Sequence, residues 1–188
     1  MPLDEAGLDE YTDRFTRNLF RQEVLPAYDV PSDGGDFGRY LRGENGPSLE
    51  VVGPWRKWVR SQHALGKTVT RVRLLTQKPS EYVSFECEWV YVSNVAAGEQ
   101  IRILDLTERT QPDGLIIDEF WAVDDSGVVL MRYDACGRFT HGEVIEGATT
   151  QQYLRSRDIA WTAGEDFTSW WSRHPEYHRG NWQERARA

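Results

Sequence analysis

Apolar and polar positions alternate most clearly between Thr68 and Asp105. In TVTRVRLL (Thr68–Leu75), Val69, Arg71 and Arg73 fall on one side and Val72 and Leu74 on the other, as in a half-buried strand. QIRILDL (Gln100–Leu106) is short and Ile/Leu-rich, which suits a buried strand. The chain between them is long enough for a crossover helix, so the unit reads as β-α-β. Residues 80–94 carry two patterns at once. Tyr82, Phe85, Glu86, Trp89 and Ser93 form a helical stripe, whereas Phe85, Cys87, Trp89 and Tyr91 alternate strictly. Ser80 is a candidate N-cap with Glu81 in the first turn, which favours helix; the aromatic and β-branched content favours strand. The pattern leaves both open, with helix preferred.

Upstream, Leu8, Tyr11, Phe15 and Leu19 recur at three to four residue steps, predicting an amphipathic helix over Leu8–Leu25 that Pro26 stops. Leu25–Pro31 reads as extended, Ser32–Gly35 as a turn, and Asp36 as the cap of a short helix through Phe37, Tyr40 and Leu41. Pro54 opens a further helix with Trp55, Trp58, Val59, Gln62 and Leu65 inward and Gly66 at its end. Downstream, GLIIDEFWAV and VVLMRY flank Asp124-Asp125-Ser126-Gly127 as a hairpin, and Arg138–Ile145 adds a third strand. Thr149 or Thr150 caps a helix carrying Tyr153, Leu154, Ile159 and Trp161, which Gly164 ends before a last turn with Phe167, Trp170 and Trp171. The expected architecture is one α/β domain with a mixed central sheet: a β-α-β unit, an antiparallel hairpin, flanking helices and helical terminal extensions. Residues 1–50 read as a helical arm packed on the domain, 51–173 as its α/β core and 174–188 as a polar, mobile tail.

Composition narrows the function classes. With 188 residues, 28% charged and 39% hydrophobic, the chain has the balance of a single globular domain. A net charge of −8 argues against strong direct nucleic-acid binding, which needs a basic face. Cys87 and Cys136 cannot make a disulfide framework and have no ligand neighbours at metal spacing. The acidic start lacks the apolar run of a signal peptide, and no segment has the length to span a membrane, so a cytoplasmic location is expected.

SEYVSFECEWVYVSNVAAGEQIRILDLTER, with GKTVTRVRLL before it and DEFWAVDD after it, resembles the actinobacterial domain-of-unknown-function family 6879. LPAYDVPSDGGDFGRYLRGE is similar to that family's opening segment and VVLMRYDACGRF to its hairpin. The resemblance implies a small cytoplasmic domain encoded beside helix-turn-helix regulators, with no established activity. A weaker, fold-level likeness is to phospholipase-D-like domains. Those need an H-x-K pair, and none of His63, His141, His174 or His178 is followed two positions later by lysine.

Candidate chemistry is sparse, and no catalytic residue, metal or cofactor is predicted. G-x-x-x-x-G-K-[ST], G-x-G-x-x-G and G-x-S-x-G are all absent. Gly98-Glu99-x-x-Arg102 could pair its own charges or hold an anion, against a C-cap glycine with a surface ion pair. Arg71 and Arg73 share a strand face and, with Arg102, could cradle a phosphate or carboxylate, with Tyr82, Glu86 and Glu99 as further ligand-binding candidates; an exposed sheet edge, or pairing with Glu86 and Glu88, is the structural alternative. Asp118, Asp124 and Asp125 could hold a metal, but D-D-S-G reads better as a turn. His174 and His178 have ligand spacing that Pro175 spoils. Trp170, Trp171 and Trp182 are candidates for a partner surface. The expected function is a non-catalytic regulatory or protein-interaction module working with a helix-turn-helix DNA-binding partner. The alternative is a small enzyme or sensor binding an anionic small molecule through the arginine face.

Overall fold

The computed structural model describes residues 2–31 and 35–182. The chain opens with α1 (Glu5–Thr12), capped by Asp4, whose Oδ1 accepts from Gly7 N at 2.8 Å. It continues through β1 (Asn18–Glu23), α2 (Asp36–Leu41), α3 (Leu49–Ala64) and β2 (Thr68–Leu75). A helical segment made of α4 (Glu81–Phe85), a π turn (Glu86–Tyr91) and α5 (Val92–Val95) leads to β3 (Gln100–Asp105). β4 (Phe120–Val123), β5 (Gly127–Tyr133) and β6 (Phe139–Ile145) follow as a meander. α6 (Ala148–Ala163), the two-residue β7 (Glu165–Asp166) and α7 (Phe167–Arg173) complete the core.

The strands form one mixed sheet in the order β6-β5-β4-β1-β2-β3-β7. β1, β2 and β3 are parallel; β4, β5, β6 and β7 join antiparallel. The β-α-β unit and the hairpin are therefore present, and the fold is a single mixed α/β domain. One face of the sheet (Phe20, Val72, Leu74, Leu104, Phe120, Leu130) packs on Tyr153, Leu154 and Ala160 of α6. Each such fully buried side chain contributes about 1.5–3 kcal/mol. Among the described residues, no helix is long and apolar enough to cross a membrane.

Period two puts Leu19, Arg21 and Glu23 of β1, Arg71 and Arg73 of β2, and Trp121 of β4 on the opposite face. Arg21 stands beside Arg71, and Glu23 beside Arg73, in the β1–β2 register.

Several expectations need correction. The single helix over Leu8–Leu25 is instead α1 followed by β1, the middle strand of the sheet, so residues 1–50 supply that strand as well as helices. Hydrogen-bonding partners on both sides, β2 and β4, outweigh the helical spacing of Phe15 and Leu19. α3 begins at Leu49, so Pro54 lies inside it, and Leu65 is exposed. The ambiguous residues 80–94 are helical, with Ser80 Oγ accepting from Val83 N at 3.1 Å. The tail forms short 3-10 turns at Pro175–Tyr177 and Arg179–Asn181; residues 183–188, and Ser32–Gly34 of the expected turn, lie outside the described residues.

Candidate functional site

The buried charges of β1 and β2 are matched by carboxylates from distant segments. Arg71 Nε donates to Glu99 Oε1 at 2.7 Å, and its Nη1 donates to Glu23. Arg73, fully buried, donates from Nε to the Tyr91 hydroxyl (2.9 Å), from Nη1 to Leu25 O (2.8 Å) and from Nη2 to Glu86. The Tyr91 hydroxyl in turn donates to Glu23 Oε2 at 2.6 Å. Arg21 donates from Nη2 to Glu119 Oε2 and to the Tyr133 hydroxyl, both at 2.8 Å. Glu119 also accepts from Leu25 N and the Tyr28 hydroxyl, each at 2.7 Å, so it anchors the chain as it leaves β1.

Burial by itself would push the Glu23 carboxyl up; Arg71, Arg73 and Arg21, with the Tyr91 hydroxyl, outweigh it and hold it down at about 2. Burial lowers an arginine in principle, yet Arg71 and Arg73 are held well above their ordinary value, Arg71 by Glu23 and Glu99 and Arg73 by Glu86 and Tyr91. Burial likewise raises the Tyr91 hydroxyl and the Cys87 thiol, so neither is a ready nucleophile at neutral pH.

Over this floor lies a cleft of about 630 Å³. Its walls are aromatic, with Tyr28, Tyr82, Phe85, Trp121, Tyr133 and Phe139, and Arg21, Glu23 and Glu86 reach it from below. A smaller hollow of about 220 Å³, bounded by Trp55 and Arg71, adjoins it through Phe85, Val90 and Trp121. The Arg21 guanidinium lies 5.3 Å from the centre of the Trp121 ring. Its Nη1 is buried and, among the described residues, has no hydrogen-bond partner. Buried polar atoms are paired in the great majority of cases, and Arg21 Nη1, beneath the cleft, is an exception.

Of the residues singled out from the sequence, Arg71, Arg73, Glu86 and Glu99 converge in one network, with Tyr82 in the cleft wall. Arg102 does not join them. It leaves the opposite face of β3, stacks on Trp161 at 4.5 Å and donates to Trp161 O at 2.7 Å, so the three-arginine cradle does not form. Gly98 takes a positive φ of 111°, as a turn glycine there requires, but Glu99 pairs with Arg71 and the Trp55 indole rather than Arg102. Trp170 is fully buried, Trp171 lies on Phe167 and His178, and Trp182 packs against Tyr40, so the three make no shared exposed surface. Asp124 accepts from the backbone N–H groups of Thr16, Arg17 and Asn18, and Asp118 from the Tyr153 hydroxyl; both are structural. Sequence reasoning missed Arg21, Glu23, Glu119 and Trp121. The available signal was the Leu19, Arg21, Glu23 alternation, the same pattern that identified β2.

Residues 6–172 match the family described as Domain of unknown function (DUF6879). The chain belongs to that family. The match takes in β1 to α6 entire, and with them the cleft residues from Asp9 to Phe139. Comparison with curated proteins gave no match. Among solved structures, a phospholipase D family member, Nuc from Salmonella typhimurium, is similar at 12% identity and a TM-score of 0.48, over 84% of this chain and 86% of that one. At that level the likeness says nothing about the chemistry of this DUF6879 chain.

Proposed function

We propose that this domain is a ligand-binding regulatory module whose site is the aromatic cleft above the β1–β2 ion-pair floor. The carrying observation is Arg21, buried in that floor with Nη1 unpaired among the described residues. Leaving such a donor unsatisfied costs about 1–3 kcal/mol, and more for a charged group; a ligand acceptor recovers that energy on binding.

The charge balance favours a ligand other than the anion of the alternative expectation. Arg71 and Arg73 are engaged by Glu23, Glu86 and Glu99. Around the cleft Glu23 and Glu86 are offset by Arg71 and Arg73, Asp29 by Arg138 and Arg21 by Glu119, which leaves Glu5 and Asp9 in excess. A phosphate would meet an unfavourable field. An uncharged or cationic heteroaromatic ring suits the aromatic walls, and a carbonyl or ring nitrogen on it suits Arg21.

The test is a thermal-shift titration with nucleobases and nucleosides, using inorganic phosphate as the anionic control. At least one ring compound stabilises the wild type and phosphate does not. Arg21→Lys keeps a cation for Glu119 but loses the second arm of the fork, and weakens binding about tenfold, or about 1.4 kcal/mol. Stabilisation by phosphate alone would restore the anion reading, and no stabilisation by any compound would end this one. In the same proposal the domain works in the cytoplasm, and cleft occupancy is what a helix-turn-helix partner responds to. Support for that part is the family resemblance, and its check is stoichiometric recovery of such a protein in a pull-down from the host.

A further inference from the structure

Away from the cleft, the end of β3 meets the segment that follows α7. Asp105 is buried there, its Oδ1 accepting from Thr107 N at 2.9 Å and Thr107 Oγ1 at 2.7 Å. Glu108 stands three residues on, at the surface. His174 is buried, with its ring against Trp170 at a centroid distance of 4.5 Å. One ligand-type atom from each of the three lies within 4.8 Å of the others.

The imidazole contacts point to a cation. His174 Nδ1 lies 2.8 Å from Glu176 Oε1, a contact that fixes the ring orientation and turns Nε2 toward Glu108. Nε2 is buried and lies 3.2 Å from Glu108 Oε1, but off the line a ring N–H would take, so no hydrogen bond joins them. Two cis ligands each about 2.1 Å from one metal ion are themselves roughly 3.0–3.4 Å apart, which matches the separation here. Glu108 Oε1 also accepts from Arg173 Nη1 at 3.1 Å and keeps a second lone pair.

The local charge agrees. Arg173 bridges Glu108 and Glu165, Arg109 acts on Glu108 from nearby, and His174 stands between Glu108 and Glu176. The carboxylates of Asp105, Glu108, Glu165 and Glu176 outnumber the guanidiniums of Arg173 and Arg109, so the site is acidic in either charge state of His174. The four-residue spacing of His174 and His178 is not the reason: Pro175 breaks the helix, and His178 Nε2 meets Trp171 O at 3.0 Å instead.

We propose that Asp105, Glu108 and His174 bind a divalent metal ion that accepts mixed nitrogen and oxygen ligands, Zn²⁺ or Mn²⁺, with Glu176 orienting the imidazole from behind. The ion ties the end of β3 to the segment after α7. To test this, the full chain, freed of any polyhistidine tag and stripped with EDTA, is titrated with ZnCl₂ and with MnCl₂. Elemental mass spectrometry reads the stoichiometry and thermal unfolding reads Tm. One ion per chain and a Tm that rises with free metal are expected. Glu176→Gln alters an exposed side chain outside the ligand set and weakens binding about 10–100-fold, and His174→Gln removes it. Failure of the wild type to take up either ion in stoichiometric amount overturns the proposal. So does uptake unchanged in both variants, because the ion then sits elsewhere.

Discussion

Arg73 concentrates the residue-scale argument. Its guanidinium is fully buried and surrounded by the Tyr91 hydroxyl, Leu25 O, Glu86 and Glu23. Removing one member of a buried ion pair strands the other, at a cost of about 3–5 kcal/mol. Arg73→Met therefore lowers Tm by roughly 6–20 °C at about 2–4 °C per kcal/mol for a chain of this size. Urea unfolding checks the free energy, and a loss below about 1 kcal/mol would show that the network is not structural. Adding Glu86→Leu to Arg73→Met recovers part of the loss, because no unpaired carboxylate remains. At this scale the sequence was half legible. Period two set Arg71 and Arg73 on one face, and Glu86 was a foreseeable partner. Glu23 and Glu119 were not, since they pair across 48 and 98 residues of chain. Glu88, the other foreseen partner, accepts from Arg179 N instead, at 2.6 Å.

Among the elements, the π turn Glu86–Tyr91 matters most to the site. An i→i+5 turn brings residues five apart onto one side of the helix, where an α turn would separate them widely. Glu86 and Tyr91 are such a pair, and both reach Arg73. The two competing patterns in residues 80–94 have a physical source here, because a widened turn fits neither the 3.6 nor the 2.0 period. Ser80 as a cap was legible; the π turn was not, because nothing in local propensity marks it. β1 was lost for a different reason. Its charged positions look solvent-facing until the partners arrive from β2, the π turn and the loop before β4. The element-scale prediction is Tyr91→Phe. It leaves Arg73 Nε and Glu23 Oε2 each short of a partner without changing apolar volume, at a cost of about 1–3 kcal/mol in denaturant unfolding with the far-UV spectrum unchanged. A neutral effect would mean the hydroxyl is not holding the two charges in register.

For the molecule as a whole, the sheet class was legible because strand alternation and turn chemistry are local, whereas the floor of the cleft was not, because it exists only once the sheet has formed. That floor also sets the response to acid. Glu23 is held down at about 2, against about 4.3 in an unfolded chain. At Asp124 burial works upward, but three backbone N–H groups and the Thr16 hydroxyl outweigh it and hold the carboxyl at about 2, against about 3.9 unfolded. Both folded values are depressed, so the folded state binds fewer protons than the unfolded one between these limits. The stabilisation is complete above about pH 4.5 and drains away as pH falls toward about 2. Tm followed by tryptophan fluorescence is expected to change little through these two groups between about pH 7 and 5, then to fall steeply below about 4.5. Glu23→Gln lowers Tm at neutral pH and flattens the acid limb, because the group that must be protonated is gone. A Tm that held steady down to about pH 2.5 in the wild type would show that the buried carboxylates are not ionised against their arginines, and the ion-pair floor beneath the cleft would fall with it.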